Sequence, residues 1–157
     1  MLPERVRAYL LGALAGAPAL FAVFVRDMTD AEADRRPDPD RFTIREALAH
    51  LADWENVFGG RLEQTRDQES PVLQGYDEGQ WAIDHDYAHA DWRAHLTLFT
   101  ERRGQMVELL RALTPEQWER VGRHTEVGPI TLEAQAVLIS AHDAYHLQQI
   151  AQWRASS

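Results

Sequence analysis

Thr43-Ile44-Arg45-Glu46-Ala47-Leu48-Ala49-His50-Leu51-Ala52-Asp53-Trp54-Glu55 is the stretch on which the fold turns. Thr43 and Glu46 form a capping box: the threonine oxygen accepts from the third helical N–H, and the glutamate reaches back to the cap N–H. Beyond it, Ile44, Leu48, Leu51, Phe58 and Leu62 recur in steps of three, four and seven. That is the stripe of an amphipathic helix. The pattern predicts a helix to about Gln68, softly broken at Gly59-Gly60. Upstream, Arg36-Pro37-Asp38-Pro39-Asp40 cannot stay helical, because each proline pushes its predecessor out of the helical region.

Working outward, the same period recurs. Val6, Leu10, Ala13, Leu14, Ala17, Phe21, Phe24 and Met28 form a first helical stripe, with Pro18 inside it as a kink or a restart. Thr29 and Glu32 cap a short turn. Trp92, Leu96, Phe99, Met106, Leu110 and Leu113 mark a third long helix, from about Asp91. Thr114-Pro115-Glu116-Gln117 starts a short one, with proline at its first position. Gly122 to Pro129 reads as a loop or a brief extended turn. Thr131 caps a fourth long helix to about Arg154. Residues 69–90 form a long connection between the second and third long helices, partly helical over Asp77 to Ala88. No segment alternates with period two for long enough to be a good strand. The expectation is one all-α domain over residues 1–157, a four-helix bundle.

Composition narrows the chemistry. The 157 residues carry a formal charge of -9 and contain no cysteine; all 16 cations are arginine. Thiolate nucleophiles, cysteine-held metals, Schiff bases and a P-loop lysine are therefore excluded. The acidic balance argues against nucleic acid as a partner. The apolar stretch Ala17 to Val25 is too short for a bilayer. It also lies too far in, and lacks the cleavage pattern, for a signal peptide. The expected location is the cytoplasm.

Seven histidines remain. His142-Asp143-Ala144-Tyr145-His146 places two imidazoles one turn apart on one helix face. On a wheel centred on Leu138 and Tyr145 they point inward, beside Gln135, Ile139, Gln149 and Trp153. They are either two ligands of one metal or two core-edge histidines, each satisfied by one hydrogen bond. His50, on the flank of the second helix's stripe, is the natural third ligand. His85 and His89 form a rival pair, with Asp84, Asp86 and His95 nearby, and read mainly as solvated residues at the mouth of a site. His124 lies in a loop. Glu55 and Arg103 each sit mid-stripe, where a lone charge is expensive. The economical reading is that they pair with each other, as a structural feature.

The run from Arg36 to Glu55 resembles the entry to the second helix of the DinB/YfiT-like superfamily, with its R-P-x-P stretch and H-L-A-D-x-E. His142 to Ile150 is similar to that family's closing H-x-x-x-H-x-x-Q-I, and Tyr76 to Ala82 to its acidic, tryptophan-containing connection. The resemblance implies an up-down-down-up bundle and a divalent metal, zinc or nickel first and iron or manganese next, held by His50, His142 and His146. It implies a small-molecule substrate and a homodimer, to which Leu147 on the outer side of the fourth helix adds weak support. Relatives that transfer low-molecular-weight thiols imply a thiol S-transferase or related hydrolase, with such a thiol as cosubstrate. The alternative is a bundle that binds metal or a small molecule without turnover. Three imidazoles leave open coordination positions, as catalytic sites do. Asp53 and Asp77 are candidate bases, Gln149 and Tyr145 could orient ligands, and Trp81 belongs to the pocket.

Overall fold

A computed structural model describes residues 2–155. Its elements, in chain order, are α1 (Glu4–Val25), α2 (Asp30–Ala33), α3 (Ile44–Asp67), β1 (Val72–Leu73), α4 (Glu78–Asp84), a 3₁₀ turn (Tyr87–His89), α5 (Trp92–Arg111), α6 (Pro115–Trp118), β2 (Val121–His124), β3 (Gly128–Thr131) and α7 (Leu132–Ala155). The long helices α1, α3, α5 and α7 form a four-helix bundle.

Hydrogen bonds between their ends fix the directions. Arg45 near the start of α3 donates to the Ala90 carbonyl just before α5, and Arg102 donates to Ala52, so α3 and α5 run parallel. Gln149 and Trp153, late in α7, both donate to the Phe42 carbonyl before α3, so α7 runs against α3. The Leu2 amide meets Glu133 at the start of α7, and Arg93 meets the Met28 carbonyl after α1. The order is up-down-down-up. Two parallel neighbours need a connection that travels the bundle's length, which is why the α3–α5 segment is long.

The capping boxes at Thr29, Thr43 and Thr114 are all formed, and the Thr131 hydroxyl accepts from Ala134. Neither the soft break expected at the glycine pair nor a restart at Pro18 occurs. α3 runs through Gly59-Gly60, and α1 runs through Pro18. Proline lacks the N–H that would bond the carbonyl four residues back. That carbonyl, Leu14, instead accepts from Arg103 Nη1 at 3.2 Å.

The expectation of no strand is corrected. β1 pairs parallel to β2, and β2 pairs antiparallel to β3, with Gly122 opposite Ile130. Strands of two and four residues are too short to show alternation. Gly122 lets the hairpin press onto α3: a Cβ there would lie 2.6 Å from Leu73 and 2.9 Å from Thr65.

The apolar core falls into two clusters along the bundle axis. One gathers Phe21, Val25, Leu48, Leu51, Trp92, Phe99 and Ile150; the other Leu14, Phe58, Leu62, Met106, Leu110, Leu132 and Ile139. Between them lies a charged layer. Arg103 donates from Nε and Nη2 to Glu55 at 2.8 and 2.6 Å, and from Nη1 and Nη2 to Asp143 at 2.5 and 2.9 Å. With the Leu14 carbonyl, all five guanidinium N–H groups have acceptors. The expected Glu55–Arg103 pair is therefore present, but as a triad that includes Asp143.

α1 departs from the reading of Ala17 to Val25 as its apolar extent. It is 22 residues long and contains an 18-residue window of mean hydropathy 2.0, long and apolar enough to cross a membrane by length and composition alone. In the bundle, Leu14, Ala17, Pro18, Phe21 and Val25 face the core, while Leu20, Val23 and Phe24 are exposed.

Candidate metal centre

Three helical positions converge in the half of the bundle where α3 begins and α7 ends. His50 from α3 and His142 and His146 from α7 each offer a ring nitrogen, and these nitrogens all lie within 4.8 Å of one another. The Nε2 atoms of His50 and His142 are 3.0 Å apart. His50 and His146 are buried; His142 is partly open. Aromatic rings wall the centre: Phe42 at 5.2 Å and Trp54 at 4.2 Å from the His50 ring, and Phe58 at 5.2 Å from His142.

Burial favours the neutral form of all three rings. The His50 pKa is lowered to about 2 by desolvation, then by the neighbouring His146 and His142. His146 falls to about 4, again through desolvation, against a raising hydrogen bond from Gln149. His142 lies well below its ordinary value from burial, His146 and Arg103. Neutral imidazole is the ligating form.

One tautomer follows from the hydrogen bonds. The Phe42 carbonyl can only accept, so the Gln149 group 2.7 Å from it is the amide NH₂. The Gln149 oxygen then faces His146 Nδ1 at 3.0 Å, which must carry the proton. His146 Nε2 is left with a free lone pair. The Nδ1 atoms of His50 and His142 are buried and meet no partner among the described residues. Three converging neutral nitrogens, with buried ring atoms unsatisfied, form a donor set suited to a divalent transition metal.

The other expected residues fall in different places. Gln149 is at the centre; Trp81 stands one ring further out, edge-on to Trp54 at 5.5 Å, stacked on His85 at 4.5 Å, and lining the cleft beside the centre. Asp53 lies in a neighbouring cleft, accepting from the Tyr87 hydroxyl at 3.0 Å. Asp77 is exposed and caps α4 by accepting from Gln80. Tyr145 is exposed, and its ring meets His146 at 5.0 Å from outside. Leu138 and Tyr145 thus lie on the outer side of α7 and do not centre its inner face. The buried face of α7 runs through Gln135, Ile139, Asp143, His146 and Gln149, and apolar residues spread around the helix hid it. His85 and His89 are exposed and His95 is half-buried, all three outside the convergence. Leu147 packs partly buried against the core rather than facing outward.

Sequence reasoning missed Arg41, Glu78 and Arg61. Arg41 and Glu78 line the pocket beside His146, and Glu78 and Arg61 the pocket beside His142. Nothing local marks them, since each lies off a stripe or in a connection. The DinB superfamily model matches residues 13–150.

The chain belongs to the DinB superfamily. A proposed metal-dependent hydrolase of Bacillus subtilis, YfiT, is 32% identical over 134 residues, spanning 85% of this chain and 75% of its own. A second proposed metal-dependent hydrolase, from Oceanobacillus iheyensis, is 30% identical over 133 residues, spanning 85% and 77%. The solved structure of Bacillus subtilis YfiT, described as having an unusual four-helix bundle topology, superimposes with a TM-score of 0.92 at 28% identity, covering 98% of this chain and 88% of that one.

Proposed function

We propose that this protein is a metal-dependent enzyme holding one divalent ion, zinc or nickel first, on His50, His142 and His146. The reaction class is transfer of a low-molecular-weight thiol, or a related hydrolysis, on a small-molecule substrate. The observation that carries the reading is the convergence of three rings whose burial keeps them neutral, one with its tautomer set by Gln149. The metal relatives' names support it. Three protein ligands leave coordination positions free, and a bound ion there acidifies a water or a thiol.

The chain's own residues do the rest. Gln149 aims His146. Phe42, Trp54 and Phe58 keep water from the rings. Because the thiol arrives with the cosubstrate, the protein needs no cysteine. The test is elemental analysis of protein purified without a nickel column, followed by turnover of an electrophile with a small thiol. About one ion per chain is expected, lost in His142→Ala. Metal-free protein that takes up no zinc or nickel would sink the reading.

A second reading, binding without turnover, is favoured by one observation. Asp53 and Asp77 are both committed, one to Tyr87 and the other to the α4 cap. A metal-loaded protein that turns over no thiol–electrophile pair would select it.

The same proposal makes the protein a homodimer. Its apolar contact is the outer side of α1, where Leu20, Val23 and Phe24 are exposed, rather than Leu147. Light scattering should give twice 17.9 kDa; a clean monomer mass that persists as concentration rises would refute it.

A further inference from the structure

Two guanidinium groups in this bundle have opposite surroundings. Arg103 has an acceptor for every N–H. Arg61, half-buried on the helix that carries His50, uses one: Nη2 donates to the Gln74 carbonyl at 2.5 Å. Its Nε is buried and meets no partner among the described residues. The Tyr76 ring lies 5.8 Å from the guanidinium carbon. Among the described residues no carboxylate comes within ion-pair distance of Arg61. Burial lowers its pKa, with Tyr76, then Glu126 and Glu78, opposing. A cation that loses water and has its counter-charges only at a distance is poorly compensated. Such a group, facing a cavity, is placed to take its partner from another molecule.

The position identifies that molecule. Arg61 and Tyr76 line a cleft of about 570 Å³ together with Asn56, Gln64 and Gln74. The same two residues line a smaller cavity, of about 210 Å³, that reaches His142. They mark where the two spaces meet. We propose that Arg61 anchors the carboxylate of a small-molecule ligand that extends from the cleft toward the three-histidine centre. The fork of the guanidinium matches a carboxylate. The amides of Asn56, Gln64 and Gln74 suit hydroxyl or amide groups on the ligand's body, and the cleft has the size of a small-molecule site. Glu78 and Glu126 in the smaller cavity favour a single negative charge over a phosphate dianion. The proposal rests on the metal-centre reading only for the direction in which the ligand points.

The test titrates the full chain, metal-loaded, with lactate, with uncharged lactamide and with inorganic phosphate, and follows the Arg61 Nε–H signal by nitrogen-15 NMR. Lactate should shift that signal saturably, lactamide should not, and phosphate should bind more weakly than lactate. Arg61→Gln should weaken lactate binding by at least about tenfold, with Arg61→Lys between the two. His146→Ala, at a ligand position that lines neither of the two spaces Arg61 shares, should lose metal yet keep lactate binding, which separates this proposal from the metal reading. Equal binding of lactamide, tighter binding of phosphate, no saturable shift in the wild type, or unchanged affinity in a folded Arg61→Gln would each overturn it.

Discussion

His146 shows how much one side chain's state depends on its neighbours. Its Nδ1 proton is held by Gln149, which is held by the Phe42 carbonyl, so the lone pair is set before any ion arrives. Burial sets the protonation as well, and this shifts an expectation drawn from ordinary imidazole. A solvated three-histidine site would lose metal below about pH 6. Here His146 takes a proton only near about 4 and His50 near about 2. Metal affinity should stay nearly flat from pH 8 to about 5; a steep fall already between 7 and 6 would mean the rings are solvated. Metal-free stability should behave differently. The unfolded chain binds protons at these rings from about pH 6.5 downward, and the folded chain does not. Stability is full above that value and falls as pH drops toward the folded values. For His146 alone the loss by pH 4 is on the order of 3 kcal/mol. Glu55 and Asp143, whose pKa values burial raises, act in the opposite sense at the acid end. Urea unfolding at pH 7 and 5.5 should show the fall, and His50→Phe should reduce it. Spacing made the histidine pair legible and the capped stripe made His50 legible. Arg61 and Glu78 were not, because their role depends on which cavities they line.

At the scale of elements, the charged layer explains how α1 tolerates a proline. Pro18 frees the Leu14 carbonyl, and Arg103 takes it up while gripping α3 through Glu55 and α7 through Asp143. One side chain thus ties all four long helices. The sequence exposed Glu55 and Arg103 as rule-breaking charges, but Asp143 stood between two histidines and looked like ordinary polar spacing. The third member changes the mutational pattern. Arg103→Met strands two buried carboxylates and should cost at least about 3–5 kcal/mol in denaturant unfolding of metal-free protein. Glu55→Leu should cost less, since Asp143 still pairs the cation. The double variant leaves Asp143 unmatched, so recovery should need the triple variant with Asp143→Leu. Full additivity across the set would mean the three groups do not interact. Helix starts were readable because a capping box is a local device. The β1–β2–β3 sheet was not, because its stability comes from residues some fifty positions apart in the chain docking on α3.

For the molecule as a whole, the centre joins two antiparallel helices distant in sequence, α3 through His50 and α7 through His142 and His146. The unfolded chain cannot present all three rings together without first closing that long loop, so an ion prefers the folded state. Such a ligand stabilises by mass action. At free metal near 100 times its dissociation constant the gain is about 2.7 kcal/mol, or about 5–10 °C in melting temperature for a chain of this size. The charged layer already joins the same helices one level away, so the metal-free bundle should remain folded, with its helical circular dichroism intact after chelation and only its melting point lowered. His142→Ala should melt at one temperature with and without zinc. Collapse of the helical signal on chelation would show instead that the ion, rather than the Arg103 triad and the two apolar clusters, holds the bundle together. A wild-type melting point that ignores zinc would remove the three-histidine site from the account.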